Sequence, residues 1–352
     1  MRLLIAPRPG SGGGPEILLS RVATELRRRG YKWTAYAFHY TGLSPLPWDY
    51  AFTMGCPRNM NKILESGKPI ITTMGKPESR KEWKAVGGVY LPIFERHELT
   101  MADAIMRSPK VVFISHYVRD IWKQIFQERS LEFPESGKVR VIHHGVDIDR
   151  FSPRERNSNT PFVVGLVGSI RDKYRLRTLF STSRNLKFDH RLLIVGRLAS
   201  KCKDEFELAM EDRELREKIT YVPWVDHRSL PEIYGQMHCL FHPVDYEGFG
   251  IVVAEALACG VPVVVPAYGA PKEYLLPHGG IAVETEQFSY GDEFSERMAE
   301  AIARVRENWL HFSLGARESA VRNVSIIKVV DSYLDFMCMP RSLTGRVDSQ
   351  LA

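Results

Sequence analysis

The sequence predicts an α/β protein made of two doubly wound domains, and three observations support that class. Short apolar runs that suit buried strands alternate with helical patterns, as parallel sheets require. The length of 352 residues corresponds to about two domains. A polar stretch from Ser152 to Pro161 separates two series of such runs and has the composition of a linker. We therefore expect one domain over residues 1–152, a second over 153–320, and a helix with a tail over 321–352.

Each series contains six predicted strands, and a predicted helix over Ile17–Arg29 follows the first of them. In the first series the strands are Leu3–Pro7, Trp33–Phe38, Tyr50–Thr53, Ile70–Thr73, Val111–Ser115 and Val139–His143. In the second they are Phe162–Gly168, Leu192–Gly196, Thr220–Pro223, Leu240–Pro243, Pro262–Pro266 and Ile281–Val283. From Ile326 to Met337, apolar residues recur at steps of three and four, which predicts an amphipathic helix.

Composition excludes several classes of protein. No apolar run approaches the roughly 20 residues of a membrane span, so a soluble protein is expected. The segment Met1–Pro7 is too short for a secretory signal and predicts a first buried strand. The five cysteines are scattered without C-x-x-C spacing, which indicates neither a zinc site nor a disulfide framework. A reducing cytoplasm fits this pattern best.

Charge is shared unevenly along the chain. Residues 1–156 hold 25 Lys and Arg against 16 Asp and Glu, a net charge of +9, whereas the remainder holds 23 against 26, or −3. Such an asymmetry bears on partners rather than on fold. A basic first half would favour an anionic acceptor or peripheral contact with an anionic membrane, although the helix dipole equally explains Arg27, Arg28 and Arg29 at a helix end. No nucleic-acid partner is expected.

The most informative stretch runs from Tyr246 to Val265, where an acidic loop opens into a helix and closes on an apolar strand. Glu247 precedes Gly-Phe-Gly, a tight turn that leaves backbone N–H groups at a helix start, and such groups attract phosphate. Glu255, eight positions on, can accept hydrogen bonds from two neighbouring hydroxyls. The stretch thus predicts a sugar-nucleotide site. The alternative is a solvated loop acid and a surface helix acid.

This stretch resembles the E-x7-E signature of retaining, nucleotide-sugar-dependent glycosyltransferases of the family 4 type. The segment Val139–Pro153 looks like the same family's interdomain signature I-P-N-G-V-D-x-x-x-F-x-P, with two histidines in place of Pro-Asn. The resemblance covers most of the chain. It implies the GT-B fold, in which two Rossmann-like domains face a central cleft, and a C-terminal helix that crosses back onto the first domain. Packing of that helix within the second domain alone is the alternative.

The resemblance also assigns roles to the residues of this stretch. Glu247 would hold sugar hydroxyls, and Glu255 would bind the nucleotide ribose. Between them, the turn that begins at Gly248 would steady sugar and phosphate through the amides of Phe249, Gly250 and Ile251. The two glutamates do not form the closely spaced carboxylate pair that retaining glycosidases use, about 5 Å apart. The family implies instead a front-face displacement in which the departing phosphate helps to deprotonate the acceptor.

Other donor contacts are expected in loops that follow strands. Gly12, Gly13 and Gly14 look like the family's glycine-rich loop, with plain turn glycines as the alternative. The motif G-x-G-x-x-G is not met, which disfavours a dehydrogenase. The resemblance implies that Gly196 and Val225 border the nucleobase, and Trp224 would either stack on the base or lie in the core.

The loop from Gly168 to Arg175 departs from the family pattern G-R-L-x-x-x-K-G, since Ser169 stands where Arg is usual. Arg171 and Lys173 are our candidates for neutralising the donor diphosphate, with Arg175 as a substitute. A solvated basic loop is the alternative. The segment Tyr268–Glu273 looks like the family's G-G-x-x-E turn beneath the sugar site.

The first half of the chain offers fewer candidates. Where relatives often carry a histidine after the fourth strand, this chain has Thr72, Thr73 and Met74. His116, at the end of a strand, is the candidate catalytic residue here, in contact with the transferred sugar or the acceptor. A structural histidine is the alternative.

These observations predict a hexosyltransferase or related enzyme that moves a sugar from a nucleoside diphosphate sugar to the hydroxyl of a carbohydrate, lipid-linked or small-molecule acceptor. No resident cofactor and no metal site are expected, because Asp147 and Asp149 belong to the interdomain segment rather than to a D-x-D loop. Two alternatives remain open: a sugar-nucleotide epimerase of the same fold, and a nucleotide-sugar-binding protein without turnover.

Overall fold

The computed structural model describes residues 2–6, 14–35, 49–54, 60–65, 70–75, 92–155, 161–170, 173–244, 246–286 and 290–340. Its contacts divide the chain into two compact units. The first contains residues 1–145 and 325–352, and the second contains residues 146–324. Each unit is built around one parallel sheet.

The first unit has a six-stranded sheet with the order β2-β1-β3-β4-β5-β6, and every neighbouring pair is parallel. The strands are β1 (Arg2–Ala6), β2 (Lys32–Ala35), β3 (Tyr50–Met54), β4 (Ile70–Met74), β5 (Lys110–Phe113) and β6 (Val139–Val141). The described helices between them are α1 (Gly14–Arg28), α2 (Met60–Glu65), α3 (Pro92–Arg107) and α4 (His116–Glu128). All five residues of β4 are buried, as expected for a central strand covered on both faces.

The second unit repeats this architecture with the strand order β12-β11-β10-β7-β8-β9, again fully parallel. Its strands are β7 (Phe162–Val167), β8 (His190–Val195), β9 (Ile219–Val222), β10 (Cys239–Phe241), β11 (Val263–Pro266) and β12 (Gly280–Val283). Because β7 lies between β8 and β10, the chain winds outward in both directions from β7. Ligands of open α/β sheets bind beyond the carboxyl ends of the strands at such a switch point.

The helices of the second unit cover both faces of its sheet. They are α5 (Lys173–Asn185), α6 (Lys203–Glu211), α7 (Arg213–Lys218), α8 (Leu230–Gly235), α9 (Ile251–Ala258), α10 (Pro271–Tyr274), α11 (Asp292–Glu307) and α12 (Trp309–Ser319). Helix α9 has no polar face, and its residues from Val253 to Ala258 are buried. An apolar helix of this kind belongs in a core, so the one carboxylate on it, Glu255, is buried as well.

The last helix, α13 (Ile326–Phe336), packs with the first unit although it follows the second unit in sequence. Its apolar side chains, including Val330 and Leu334, join Val22 and Leu26 of α1 in one buried cluster. Polar contacts fix the register of the two helices. Arg29 pairs with Asp331 and donates to the carbonyl of Ile327 at 3.1 Å.

The twelve strands predicted from the sequence are all present, as is the fold class of two doubly wound parallel sheets. The predicted helices over Ile17–Arg29 and Ile326–Met337 are α1 and α13 with slightly shifted ends. The polar tail from Ser342 lies outside the described residues. In the described ranges, no helix has both the length and the apolar character needed to span a bilayer.

Candidate active site

The acidic loop of the second unit lies at the switch point of its sheet. Strand β10 ends at Phe241, and the loop that follows carries Glu247 to the start of α9. On the other side of the switch point, the loop after β7 begins at Gly168, whose φ is +116°. These two loops are neighbours because β7 and β10 pair directly in the sheet. The structure therefore brings the paired-acid segment and the basic loop of the sequence to the same edge.

The turn between Glu247 and α9 depends on Gly250. This residue caps α9 with φ +84° and ψ +68°, a left-handed conformation that is costly for residues with a Cβ atom. Tyr274 braces the turn from below, since its hydroxyl donates to the carbonyl of Phe249 at 2.6 Å. The amide of Ala270 donates to the carbonyl of Glu247 at 2.9 Å. The predicted turn from Tyr268 to Glu273 thus supports the acidic loop.

Glu247 lies above a buried histidine that is not part of the family signature. His242 follows β10, is only 2% exposed, and its Nε2 lies 3.5 Å from Glu247 Oε2. The side chain of Glu247 keeps 29% exposure, so its carboxylate faces both the histidine and the open edge of the sheet. A carboxylate in this position can accept hydrogen bonds from a ligand while it is oriented by the protein.

The charge of Glu247 is set by several groups around it. Burial raises the pKa of its carboxyl group. The contact with His242 and its charge, the charge of Arg175 and the Phe249 amide outweigh burial and hold the pKa of Glu247 well below its usual range. Burial also lowers the pKa of His242, which favours the neutral form of the imidazole.

Among the described residues, Arg175 is a basic side chain that the structure brings to this site. It lies in the first turn of α5, donates from Nη1 to the carbonyl of Ser169 at 3.5 Å, and acts electrostatically on both Glu247 and His242. Within the described part of the chain, its buried Nε has no hydrogen-bond partner. Of the two candidates favoured by the sequence, Arg171 lies outside the described residues, and Lys173 is the first residue of α5.

Glu255 occupies a separate, deeper position on α9. It is 1% exposed, and its two oxygens accept hydrogen bonds from different partners. His227 Nε2 donates to Oε1 at 2.9 Å, and the hydroxyl of Tyr234 donates to Oε2 at 3.2 Å. Both oxygens are therefore oriented by the protein, as a carboxylate that binds hydroxyls requires. Glu255 is thus a buried, oriented acid and not a solvated surface acid.

His227 connects Glu255 to the segment that precedes the linker. It lies in a 3-10 turn, His227–Ser229, after β9, and its carbonyl accepts a hydrogen bond from Arg150 Nη2 at 2.7 Å. Arg317 holds the same segment by donating to the carbonyls of Ile148 and Phe151. The sequence did not single out His227, His242, Tyr234 or Arg317 as members of this site.

The loops after β8 and β9 form the edge where a nucleobase was expected. Gly196 has φ +129°, and a Cβ atom there would collide with the carbonyl oxygen of Gly168. This close approach of backbones explains the glycine structurally. Trp224 is 62% exposed beside the half-buried Val225, so the tryptophan is not a core residue. An exposed indole at this edge is available for stacking.

The candidates of the first unit are less fully described. Gly12 and Gly13 lie outside the described residues, and Gly14 is the first residue of α1. His116 is exposed at the start of α4, next to the N-cap Ser115, at the carboxyl edge of the sheet. Met74 is fully buried, and the Thr73 hydroxyl lies 3.2 Å from that of Tyr333. The residues in place of the usual histidine therefore pack in the core.

Solved structures of low sequence identity share this fold. The crystal structure of Anabaena Alr3699/HepE in complex with UDP superposes with a TM-score of 0.68 at 14% identity, over 96% of this chain and 100% of that chain. The two parallel sheets and this structural similarity define the class of protein. This chain has the GT-B fold, as the resemblance implied. More particularly, residues 147–317 match the family model of "Glycosyl transferases group 1".

Relatives match the chain over part of their length. Over 192 residues it is 27% identical to the GDP-mannose-dependent alpha-mannosyltransferase of Mycobacterium tuberculosis (strain CDC 1551 / Oshkosh). That alignment covers 52% of this chain and 47% of the relative. Over 151 residues it is 28% identical to the D-inositol 3-phosphate glycosyltransferase of Mycobacterium sp. (strain KMS). That alignment covers 40% of this chain and 34% of the relative. The chain thus spans less than half the length of these two relatives.

Proposed function

We propose that this protein is a retaining glycosyltransferase of the family 4 type, which moves a hexose from a nucleoside diphosphate sugar to an acceptor hydroxyl. The observation that carries the proposal is the placement of Glu247 and Glu255 at the switch point of the second sheet, opposite Arg175. Two oriented carboxylates and one guanidinium suit a ligand with hydroxyls at both ends and a diphosphate between them. The match of residues 147–317 to a glycosyltransferase family supports it.

In this proposal Glu247 accepts hydrogen bonds from hydroxyls of the transferred sugar. The residues from Gly248 to Ile251 contribute backbone amides and the start of α9, which favour the negative charge of phosphate. Arg175 neutralises the diphosphate as it departs and so stabilises charge that develops in the transition state. Glu255 holds the ribose hydroxyls, and the loops at Gly196 and Val225 border the base.

The reaction in this proposal proceeds on one face of the sugar. The bond between the anomeric carbon and the phosphate oxygen breaks, and the acceptor oxygen bonds to the same face of that carbon. The acceptor proton passes to the departing phosphate oxygen, so neither glutamate needs to act as a nucleophile. The site supports a binding role for Glu255 rather than a nucleophilic one, because Glu255 is buried beside His227 and Tyr234, away from open solvent.

Donor and acceptor are proposed by class. A relative is named for GDP-mannose and a solved neighbour contains UDP, so both nucleotides belong in the test. We propose a carbohydrate, lipid-linked or small-molecule hydroxyl as acceptor, with His116 at the carboxyl edge of the first sheet as its candidate contact. The charge of +9 in residues 1–156 favours an anionic acceptor or an anionic membrane surface that carries it. No observation favours the epimerase or the binding protein over a transferase.

The test is turnover of a panel of nucleoside diphosphate sugars, with GDP-mannose and UDP-glucose among them, followed by proton NMR of the anomeric centre. Transfer or slow hydrolysis with retention supports the proposal, and Glu247→Gln should abolish it. Glu293→Gln is the matched control, since Glu293 is 84% exposed on α11. Inversion at C2 of the donor sugar would instead identify an epimerase. Tight binding of a donor without any turnover would identify a binding protein.

A further inference from the structure

A buried histidine beneath Glu247 has no role in the function proposed above. His242 is 2% exposed, and neither of its ring nitrogens has a hydrogen-bond partner within the described part of the chain. Buried polar groups in folded proteins are nearly always paired, and one that is not calls for a specific explanation. The strand that leads to His242 is apolar, and its residues Cys239, Leu240 and Phe241 are fully buried. A space-filling role would be served as well by leucine.

The backbone on both sides of His242 is fixed. Its amide donates to the carbonyl of Val264 at 3.0 Å, and its carbonyl accepts from Val244 at 2.9 Å. Glu247 is held in turn through its carbonyl by Ala270. Because both main chains are anchored, only the side chains can adjust, and the 3.5 Å separation of Nε2 and Oε2 is close to hydrogen-bond length.

The surroundings favour a neutral donor and a charged acceptor. The groups that face this pair are Arg175, whose charge acts on both partners, and Tyr274, whose hydroxyl is already used by the carbonyl of Phe249. Arg175 disfavours a second positive charge on His242 and favours a negative charge on Glu247. A neutral imidazole can therefore donate from Nε2 to an ionised carboxylate, which is one of the stronger kinds of hydrogen bond.

We propose that His242 is a positioning residue for Glu247: its Nε2–H donates to Oε2 and holds the carboxylate ionised and turned toward the sugar hydroxyls. This inference rests on the proposed function for the role of the sugar, but the pairing itself concerns only the protein. In this arrangement Glu247 satisfies the imidazole, and the carboxylate keeps acceptor sites for the ligand beside the contact with the Phe249 amide.

Two variants separate this role from simple packing. His242→Leu removes the donor and keeps the volume, whereas His242→Gln keeps an N–H donor at a similar reach. In His242→Leu we expect kcat to fall roughly tenfold, the rate equivalent of one hydrogen bond to a charged group, with little change in the KM for the donor sugar. The acid limb of the pH profile of kcat should move to higher pH. His242→Gln should restore most of kcat and of the wild-type profile.

A matched control is His190→Leu. His190 is also fully buried in the second unit, but it lies at the first residue of β8, at the opposite edge of the sheet, and is paired with Ser183 and the carbonyl of Phe188. Its loss should lower thermal stability without moving the acid limb. An unchanged acid limb and kcat in folded His242→Leu would overturn the inference.

A direct titration separates this inference from the proposed function. The protein is labelled with ¹³C-carboxyl glutamate, and the Glu247 resonance is identified by its loss in Glu247→Gln. The inference requires a Glu247 pKa below the usual range in the wild type that rises in His242→Leu and stays low in His242→Gln. The same pKa in all three proteins would overturn it. This readout needs no turnover, so it decides the pairing even if no donor sugar is transferred.

Discussion

The substitution Gly250→Ala tests whether the turn before α9 positions the carboxylate of Glu247. Gly250 has φ +84°, and an L-residue in the left-handed region costs roughly 1–2 kcal/mol. The added Cβ would lie 3.2 Å from the Tyr274 hydroxyl and 3.3 Å from Glu247 Cγ, so these neighbours must shift by a few tenths of an ångström. Overpacking of this kind costs about 1–3 kcal/mol.

The sum of these terms is roughly 2–5 kcal/mol of lost stability. For a unit of this size each kcal/mol lowers Tm by about 2–4 °C, so calorimetry should show a decrease of roughly 4–20 °C. Turnover should fall more than donor affinity, because the displaced atom belongs to Glu247 while Glu255 keeps its contacts with His227 and Tyr234.

The control is Gly137→Ala, because a Cβ atom at Gly137 would have no neighbour within 4 Å. This variant should melt and turn over like the wild type. If Gly250→Ala keeps the wild-type Tm and turnover, the turn does not constrain Glu247 and the reasoning is wrong.

Three further predictions concern the charged residues of the site. Glu255→Ala should weaken binding of a nucleoside diphosphate roughly 100-fold, the equivalent of one or two hydrogen bonds to a charged acceptor, and an unchanged Kd by calorimetry would contradict its ribose role. Arg175→Ala should weaken binding of the nucleoside diphosphate much more than that of the nucleoside, since only the diphosphate carries the charge that we propose Arg175 neutralises; equal losses in the two titrations would argue against this role. Because the folded-state pKa of Glu247 is depressed, its ionisation contributes stability that is fully present above its ordinary pKa of 4.5 and is lost as pH falls through the lower folded value. The Tm difference between the wild type and Glu247→Gln should therefore shrink as pH is lowered below 4.5, and a difference that is constant with pH would show that Glu247 is not perturbed.

The strands were predictable because each is a short buried run bounded by polar, glycine or proline residues. The shifts at their ends have physical causes. Strand β8 begins at His190, whose buried imidazole is paired with Ser183 and with the carbonyl of Phe188. A histidine is polar, so an apolar run does not predict it as the first residue of a strand. Strand β5 likewise begins at Lys110, a charged residue that packs its ammonium over the ring of Phe336.

The candidate site was predictable where one segment contains all of its parts. Glu247, Gly250 and Glu255 lie within nine residues, so local spacing was enough to pair them. The partners of these glutamates come from elsewhere. His227 reaches Glu255 from the loop after β9, and that contact depends on how helices and loops pack around the sheet. The sequence pattern contains no signal for such contacts.

Arg175 shows a different limit of the sequence. The family pattern places its basic residues at fixed positions after the first strand of the second domain, and this chain has shifted them. Three basic residues within five positions fitted that loop equally well. In the described part of the chain, the structure shows that Arg175, in the first turn of α5, acts on Glu247.

The return of α13 to the first unit affects how the protein is made. During synthesis, residues 146–324 leave the ribosome as one continuous stretch and have every strand of their own sheet at hand. The amino-terminal sheet is synthesised earlier, but the cluster that contains Val22, Leu26 and Tyr31 stays incomplete until α13 emerges. Nascent chains therefore expose the apolar surface that α13 later covers, for the time needed to translate the whole second unit. In that interval the patch is open to chaperones or to aggregation, and a truncation before Ile326 would make the exposure permanent.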